Sequence, residues 1–454
     1  MRVRGFLKSA LCIAALLCLS TCEIASWAQS RATSSAEAVT LNNRGLELYQ
    51  KGKPEEAIAL FRQALAINTE FPEALSNLGL ALDATGKDDE AVADFEQAMK
   101  LKPTDAITES NLGFALYHQK KYADAAAAYQ ESLALNPKFP QAYNGLGDVL
   151  FASGKTDEAI AAYRKAIQLS PHYLDAMNNL AAALDSKHQW DEAMQVYKQA
   201  LALSPNALDI RVNYAASLQR AKRKEEAISN YREIVSARPS DAHARFELGS
   251  LLYLEGQLDE AIANLEKSLA LNSNQPEAEF TLAHAYQDQN KLAEAIDAYE
   301  KGLALHPNDA HALYNLGNAL LANSDAGEAA DSYRKALEIQ PDFPEALQAL
   351  GAALVRTHDL DGAEAAFRKL VALEPQNAEA QFNLGNVLFA KKHYQVAVDS
   401  YRVAILLNPQ HAHAHYNLAI ALATLKQYDE ARKEFSEAHR LDPNFTPPKD
   451  SSKH

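Results

Sequence analysis

The stretch AHALYNLGNALLANSDAGEAADSYRKALEIQPDF, residues Ala310 to Phe343, decides the fold. Its 34 residues hold two amphipathic helical patterns, because small or apolar residues recur three and four positions apart in each half. Neither helix could bury that stripe alone. Twelve copies, laid end to end without insertion or deletion, account for residues 38–445. The sequence therefore predicts one repeat array rather than several separate domains. The stripes consist of Leu313, Leu316, Gly317 and Leu320 in the first half, and of Ala329, Tyr333, Ala336 and Leu337 in the second.

We number the places of each copy from 1 to 34, starting at Ala38. Place 20 is Ala in all twelve copies, and place 8 is Gly or Ala, as two closely packed helices require. Place 24 is aromatic in every copy except the one with Leu265, and place 32 is Pro in ten copies, where a helix must stop. The predicted copies are residues 38–71, 72–105, 106–139, 140–173, 174–207, 208–241, 242–275, 276–309, 310–343, 344–377, 378–411 and 412–445.

This pattern resembles the tetratricopeptide repeat family, whose 34-residue helix-turn-helix carries Leu-Gly, Ala, Phe or Tyr, Ala and Pro at matching places. The resemblance covers about 90% of the chain. It implies an all-α, right-handed superhelical solenoid in which the first helices line a concave groove. It also implies that recognition of other proteins is the usual task.

Charge and motif content exclude several other classes of function. The net charge of −15, without a cluster of Lys and Arg, argues against nucleic acid or an anionic bilayer as a partner. No nucleophile cluster, glycine-rich phosphate loop or spaced acid/base pair is present, so we predict neither catalysis nor a cofactor. Three alternating histidines could suggest a metal site, but His recurs at the same variable place in two other copies, as His243 and His311, and no metal site is predicted. The three are His411, His413 and His415.

The N-terminus predicts export. An uncharged, mostly apolar run of 14 residues, Ser9 to Cys22, follows a basic start and is shorter than the roughly 20 residues of a spanning helix. We predict a signal peptide over residues 1–28, cleaved after Ala28, and a periplasmic or secreted protein. The alternative is a lipid anchor at Cys22, because Leu19 to Cys22 resembles a bacterial lipoprotein box with an unusual Thr.

Cleavage after Ala28 would leave a mature chain without cysteine, because Cys12, Cys18 and Cys22 are the only ones. Residues 29–37 are predicted to be a polar linker, and residues 446–454 a short tail. The terminal copies carry polar residues where inner copies have apolar ones, as the caps of a repeat array do, so we expect a monomer. These residues are Arg44 and Glu47 in the first copy, and Arg432 and His439 in the last.

Candidate binding residues lie on the first helix of each copy, at places not needed for stacking. Asn occupies place 6 in eight copies, and its amide can bond both N–H and C=O groups of an extended peptide. Place 5 is aromatic in later copies and could receive apolar anchors of a partner. The predicted peptide-binding residues are Asn43, Asn77, Asn111, Asn179, Asn213, Asn315, Asn383 and Asn417, with Phe246, Phe280, Tyr314, Phe382 and Tyr416.

The Asn series is similar to the asparagine ladder of the O-linked N-acetylglucosamine transferase family, whose catalytic part has no counterpart in this sequence. Two structural interpretations stay open beside this one. The amides could bond only to neighbouring helices, and the rings could be partly buried between repeats. The function predicted is an exported, non-enzymatic adaptor that binds extended protein segments. The alternative is a spacer or assembly subunit of an envelope complex that acts through its outer faces or ends.

Overall fold

Each copy of the repeat folds into two antiparallel helices, because the same helix-ending residues recur at the same places. The computed structural model describes residues 35–445, so the predicted signal peptide and tail lie outside the described residues. The first helix begins at residue 35, inside the segment predicted as linker. The chain divides into two compact units, Met1–Ala227 and Ile228–His454.

Twenty-four helices occupy residues 35–445, two for each predicted copy. The all-α array of twelve helix-turn-helix repeats is therefore confirmed. The first helices are α1 (residues 35–50), α3 (Pro72–Asp83), α5 (Ala106–His118), α7 (Pro140–Ala152), α9 (Leu174–Ser186), α11 (Leu208–Arg220), α13 (Ala242–Leu254), α15 (Pro276–Asp288), α17 (Ala310–Ala322), α19 (Pro344–Arg356), α21 (Ala378–Ala390) and α23 (Ala412–Thr424). The second helices are α2 (Pro54–Ile67), α4 (Asp88–Leu101), α6 (Tyr122–Leu135), α8 (Thr156–Leu169), α10 (Trp190–Leu203), α12 (Lys224–Ala237), α14 (Leu258–Leu271), α16 (Leu292–Leu305), α18 (Ala326–Ile339), α20 (Leu360–Leu373), α22 (Tyr394–Leu407) and α24 (Tyr428–Leu441).

The turn inside each repeat depends on one residue in the left-handed region, at place 15. Its φ lies between +57° and +76° in all twelve repeats, although only four of these residues are Gly. This conformation lets the next N–H reach back to the first helix, as Lys53 N does to Leu48 O at 3.0 Å. The other eight repeats place Lys, His, Asn or Ser there at a conformational cost of about 1–2 kcal/mol.

The core of each repeat is the contact between place 8 and the ring at place 24. A Cβ built on Gly317 would lie 2.5 Å from Cε1 of Tyr333, so the two helices approach too closely for a side chain there. The place-20 alanines are fully buried in the first eleven repeats, and Ala431, in the last repeat, is 3% exposed. In the second unit these contacts join into one core that runs from Ile262 to Ala431.

Within residues 35–445, no helix is long and apolar enough to cross a membrane.

Candidate functional site

The predicted site residues lie on the surface formed by the first helices, which we call the helix-A face. Asn43 is exposed, and the other seven place-6 asparagines are half-buried. Half-burial means that part of each amide faces a neighbouring repeat and part faces solvent. What each amide can offer a ligand therefore depends on which of its atoms the neighbouring repeat already uses.

Five of the eight amides donate an N–H to the preceding repeat. The acceptor is a side chain at place 5 or place 9 of that repeat, and each bond stabilises the stacking by about 1 kcal/mol. The carbonyl oxygens of these amides accept no side-chain bond within residues 35–445. The bonds run from Asn77 to Asn42 at 2.9 Å, Asn179 to Asn144 at 3.2 Å and Asp148 at 2.9 Å, Asn213 to Asn178 at 2.9 Å, Asn315 to His284 at 3.1 Å, and Asn417 to Asn386 at 2.8 Å.

The other three asparagines lack such a bond for reasons visible in the preceding copy. Asn43 lies in the first repeat. Asn111 faces Ser76, which already accepts from Thr108, and Leu80, which has no side-chain acceptor. Asn383 follows a repeat with Ala at place 9, makes no hydrogen bond to Gln348 at place 5 of that repeat, and donates to Glu379 of its own helix at a long 3.4 Å.

The five place-5 aromatics are half-buried rather than free. Tyr314 packs against the place-24 ring of its own repeat, with Tyr333 at 5.9 Å, and against Phe343 at 5.1 Å. The same two contacts recur at Phe382 and Tyr416. Phe280 instead lies over Gly302, where an added Cβ would come within 2.3 Å of the Phe280 ring. Phe246 also packs against the core of the second unit. These rings therefore stabilise the repeats, and only their edges are available to a partner.

The first unit carries a polar cluster on the helix-A face around Asp148. The Asp148 carboxylate accepts from the Tyr163 hydroxyl at 2.8 Å, from Asn179 at 2.9 Å and from Asn144 at 3.2 Å. Burial raises the pKa of Asp148 to about 6, although the bonds from Tyr163 and Asn179 oppose the rise. A carboxyl with that pKa changes its charge just below neutral pH, so the charge of this surface depends on pH.

The second unit carries a pocket of about 320 Å³ on the helix-A face, between α19 and α21. Its floor is the buried Phe367 and Val387. The tenth repeat has Gln348 at place 5 and Ala349 at place 6, where most other repeats have a ring or an amide, and its small Ala352 at place 9 lines the pocket. Its polar lining consists of Gln348, Arg356, Asn383 and Asn386.

Asn386 joins this pocket to a smaller one of about 110 Å³ in the next repeat, which Asn417 and Tyr401 also line. The Asn386 oxygen accepts from the Tyr401 hydroxyl at 2.9 Å and from Asn417 at 2.8 Å. These two bonds fix the orientation of the amide, because they use the oxygen and leave both N–H donors for other acceptors.

Sequence reasoning missed Gln348, Arg356 and Asn386 as site residues. Arg356 is exposed and makes no ion pair within the described residues, so the pocket has a positive end. The signal that could have found them is the interruption of two series in one repeat. Where most copies place rings and amides on the helix-A face, a copy that lacks both leaves more space.

The three alternating histidines have separate partners. His415 is buried and bonds Glu434 at 2.5 Å, His411 lies 3.2 Å from Glu379, and His413 packs against Phe445. Within residues 35–445 no group of three His, Cys, Asp or Glu side chains is arranged to hold a metal ion.

Known repeat families match most of the chain. Sequence models described as "Tetratricopeptide repeat" match residues 72–105, 111–173, 153–207, 186–245, 280–344 and 320–384, and one described as "TPR repeat" matches residues 45–86 and 249–290. A model of "Anaphase-promoting complex, cyclosome, subunit 3" matches residues 356–438. No curated protein matches the chain in sequence.

Three solved structures similar to this chain superpose on it with a TM-score of 0.37 each. One is the APC/C hetero-tetramer Cut9-Hcn1, at 15% identity over 90% of this chain and 94% of the other. The second is YrrB, "a TPR protein with an unusual peptide-binding site", at 24% identity over 40% and 93%. The third is TTC0263, a thermophilic TPR protein from Thermus thermophilus, at 26% identity over 40% and 99%.

Proposed function

We propose that this chain, which belongs to the tetratricopeptide repeat family, is a non-catalytic scaffold that binds extended segments of other proteins along its helix-A face. The family supports the general part of this proposal, because its members generally mediate protein–protein interactions and scaffold assemblies. The specific part depends on one observation, the pair of adjoining pockets that share Asn386. Pockets in successive repeats suit a segment that runs from repeat to repeat.

The polar groups at these pockets match those of a peptide backbone. Asn386 offers two N–H donors, and the Asn383 oxygen makes no side-chain bond in the part of the chain that the structure describes. Together they can bond one C=O and one N–H of an extended segment without reading its sequence. The apolar floor formed by Phe367 would receive a side chain, and Arg356 would favour a neighbouring Asp or Glu.

The five amides that already donate to a neighbouring repeat would take part differently. Each retains a free carbonyl oxygen, and all but Asn179, which donates twice, also retain one N–H. Each can therefore still accept from a backbone N–H of the ligand. Because the neighbouring repeat holds the amide in place, little side-chain entropy is lost on binding. With one group bonded to the neighbouring repeat and another bonded to the ligand, the Asn series would function as a ladder similar to that of the O-linked N-acetylglucosamine transferase family. It also means that replacing Asn315 or Asn417 would disturb stacking as well as binding.

The binding experiment uses a phage-displayed library of random 12-residue peptides, selected on the purified chain, with the affinity of enriched peptides measured by fluorescence anisotropy. Ala352→Trp should fill the larger pocket and weaken binding about tenfold or more, a loss of at least 1.4 kcal/mol. The matched control is Ala182→Trp, at the same place in the fifth repeat, which should bind as the wild type does. Asn383→Ala should also weaken binding, with Asn323→Ala, in the exposed turn after α17, as its control. Failure to enrich any peptide, or equal binding by all four variants, would refute the proposal.

We also propose that the chain acts outside the cytoplasm. The basis is the basic start, the 14-residue apolar run and the confinement of all three cysteines to the first 22 residues. Expression in a bacterium followed by fractionation and N-terminal sequencing tests this proposal. A periplasmic or secreted product that begins at Gln29 is expected. An acylated product that begins at Cys22 would support the lipid-anchored alternative, and an intact cytoplasmic chain would contradict both.

A further inference from the structure

Ion pairs recur on the surface formed by the second helices, which we call the helix-B face. A cation at place 25 of one repeat meets a Glu at place 19 of the next. Exposed pairs of this kind contribute little each, but they neutralise charge along neighbouring helices. The pairs are Arg62–Glu90 at 2.8 Å, Arg164–Glu192 at 2.5 Å, Lys198–Glu226 at 3.5 Å, Arg232–Glu260 at 2.7 Å and Arg402–Glu430 at 2.6 Å.

The junction between the eighth and ninth repeats lacks this pair. Place 25 is Glu300 there, opposite Glu328 at place 19, so two carboxylates stand where other junctions have a cation and a carboxylate. Both are exposed, and neither makes an ion pair within residues 35–445. The junction before it also has two acids, but there Glu266 accepts a hydrogen bond from the Tyr286 hydroxyl at 2.5 Å.

A groove of about 690 Å³ opens at this same junction, between α16 and α18. Its floor is apolar, formed by Leu313, Leu316 and Leu320 of α17, each less than 10% exposed. Small side chains border the groove, with Ala304 on one wall and the buried Ser332 on the other. The volume of the groove lies within the range of ligand pockets in proteins, which are likewise lined mainly by apolar side chains.

The rim of the groove is acidic. Glu300, Glu328 and Glu338 are exposed and have no cation partner within the described residues, whereas Asp331 is paired with Arg334 at 2.7 Å. Lys335 is the only cation among the lining residues. Three uncompensated carboxylates around a leucine floor form a surface that is complementary to a cationic and apolar partner.

We propose that this groove binds a cationic amphipathic segment of another protein. An apolar side chain of the segment packs on Leu313, Leu316 and Leu320. A Lys or Arg beside it lies between Glu300 and Glu328 and replaces the cation that other junctions carry within the chain. This site is separate from the helix-A face, so a scaffold with both could hold two partners at once.

The recurring ion pairs supply the test. Glu300→Arg should restore the pair with Glu328 that five other junctions have, closing the site while keeping the fold. The matched control is Glu96→Arg at the junction of the second and third repeats, where Asp124 stands opposite. Both substitutions change the net charge by the same amount. At the control junction place 4, which is Leu313 in the groove, is Glu109.

The probe is an acetylated and amidated 14-residue peptide of Leu and Lys in helical amphipathic order, and its Leu/Glu counterpart is the negative control. Wild type should bind the Leu/Lys peptide. Glu300→Arg should weaken the affinity for this peptide about tenfold or more, whereas Glu96→Arg should leave the affinity within about twofold of wild type. Ser332→Trp, which fills the groove, should act like Glu300→Arg.

Several results would overturn the proposal. Wild type could fail to bind the Leu/Lys peptide, or could bind the Leu/Glu peptide equally well. Equal weakening by Glu300→Arg and Glu96→Arg would show attraction to the overall negative charge rather than to the groove. Sedimentation equilibrium tests whether the groove instead binds a second copy of the chain. A wild-type dimer that Glu300→Arg converts to a monomer would assign the groove to that second copy. Circular dichroism of each variant verifies that the fold is retained.

Discussion

Replacing Asp148 by Asn should stabilise the protein at pH 8, and the stabilisation should vanish on acidification. Burial raises the pKa of this carboxyl from 3.8 to about 6. The folded state therefore holds its proton more tightly than the unfolded chain does. Stability contributed by such a group is fully present below about pH 4 and is lost as the pH rises through 6. Asn carries no charge at any pH and removes that loss.

The magnitude follows from the same pKa difference. Each unit corresponds to about 1.4 kcal/mol, so the advantage of the variant over wild type should grow by about 2 kcal/mol between pH 4 and pH 8. Asn can still accept from the Tyr163 hydroxyl and from Asn179, which keeps most of the hydrogen bonds of the cluster. Part of the gain at pH 8 is lost, because bonds to a neutral oxygen are weaker than bonds to a carboxylate.

The assay is urea unfolding followed by circular dichroism at pH 4, 6 and 8 for wild type, Asp148→Asn and Asp124→Asn. Asp124 is exposed in the first turn of α6, so its replacement controls for the loss of a surface charge. Comparing variants at the same pH cancels the contributions of the other titrating groups to the free energy of unfolding. Repeat arrays can unfold in steps, so the comparison is made on the transition that Asp148→Asn shifts. A variant that is less stable than wild type at pH 8, or whose advantage does not depend on pH, would refute the argument.

Three further substitutions test the packing of the repeats by urea unfolding. Gly317→Ala should destabilise the protein by about 1–3 kcal/mol through contact with the place-24 ring, whereas Gly327→Ala, whose Cβ meets nothing within 4 Å, should be neutral or slightly stabilising. Arg220→Met should cost about 1–3 kcal/mol, since it leaves the buried Asp185 carboxylate with only its bond from Ser217, while Arg220 itself is exposed. Adding Asp185→Asn should recover most of that loss. Ser324→Gly should stabilise by up to about 1 kcal/mol, because Ser324 has a φ of +76°; no change or a loss would show that the turn is not strained.

The helices were predictable because a period of 34 residues repeats the same small, aromatic and Pro residues at fixed places. The left-handed conformation at place 15 could not be predicted from the sequence, because only four of the twelve repeats have Gly there. In the others, residues such as Lys120 and Ser324 adopt the conformation because the packed helices on either side require the chain to reverse there. Packing of the two helices outweighs the local preference of one residue, and that balance cannot be read from the residue itself.

The Asn series shows a different limit. The same residue at the same place has different free atoms from one repeat to the next, because the acceptor belongs to the preceding copy. Asn417 donates to Asn386, while Asn111, which faces Leu80, has no such acceptor. Reading one place down the array therefore identifies the amides but not their availability. Places 5 and 9 of the preceding copy must be read with place 6 to tell which amides still have a donor to offer.

Both proposed sites follow from one physical property of a repeat array. Residues that agree with the repeat pattern fill the space and balance the charge between neighbouring copies, so they have little left for a partner. Open volume arises where a copy lacks the usual ring and amide, as at Gln348 and Ala349. Uncompensated charge arises where a copy lacks the usual cation, as at Glu300. The regular residues thus determine the fold, and the departures determine what the fold can bind. For this reason the sharpest test of a site is to restore the regular residue, as Glu300→Arg does, and to ask whether binding disappears while the fold remains.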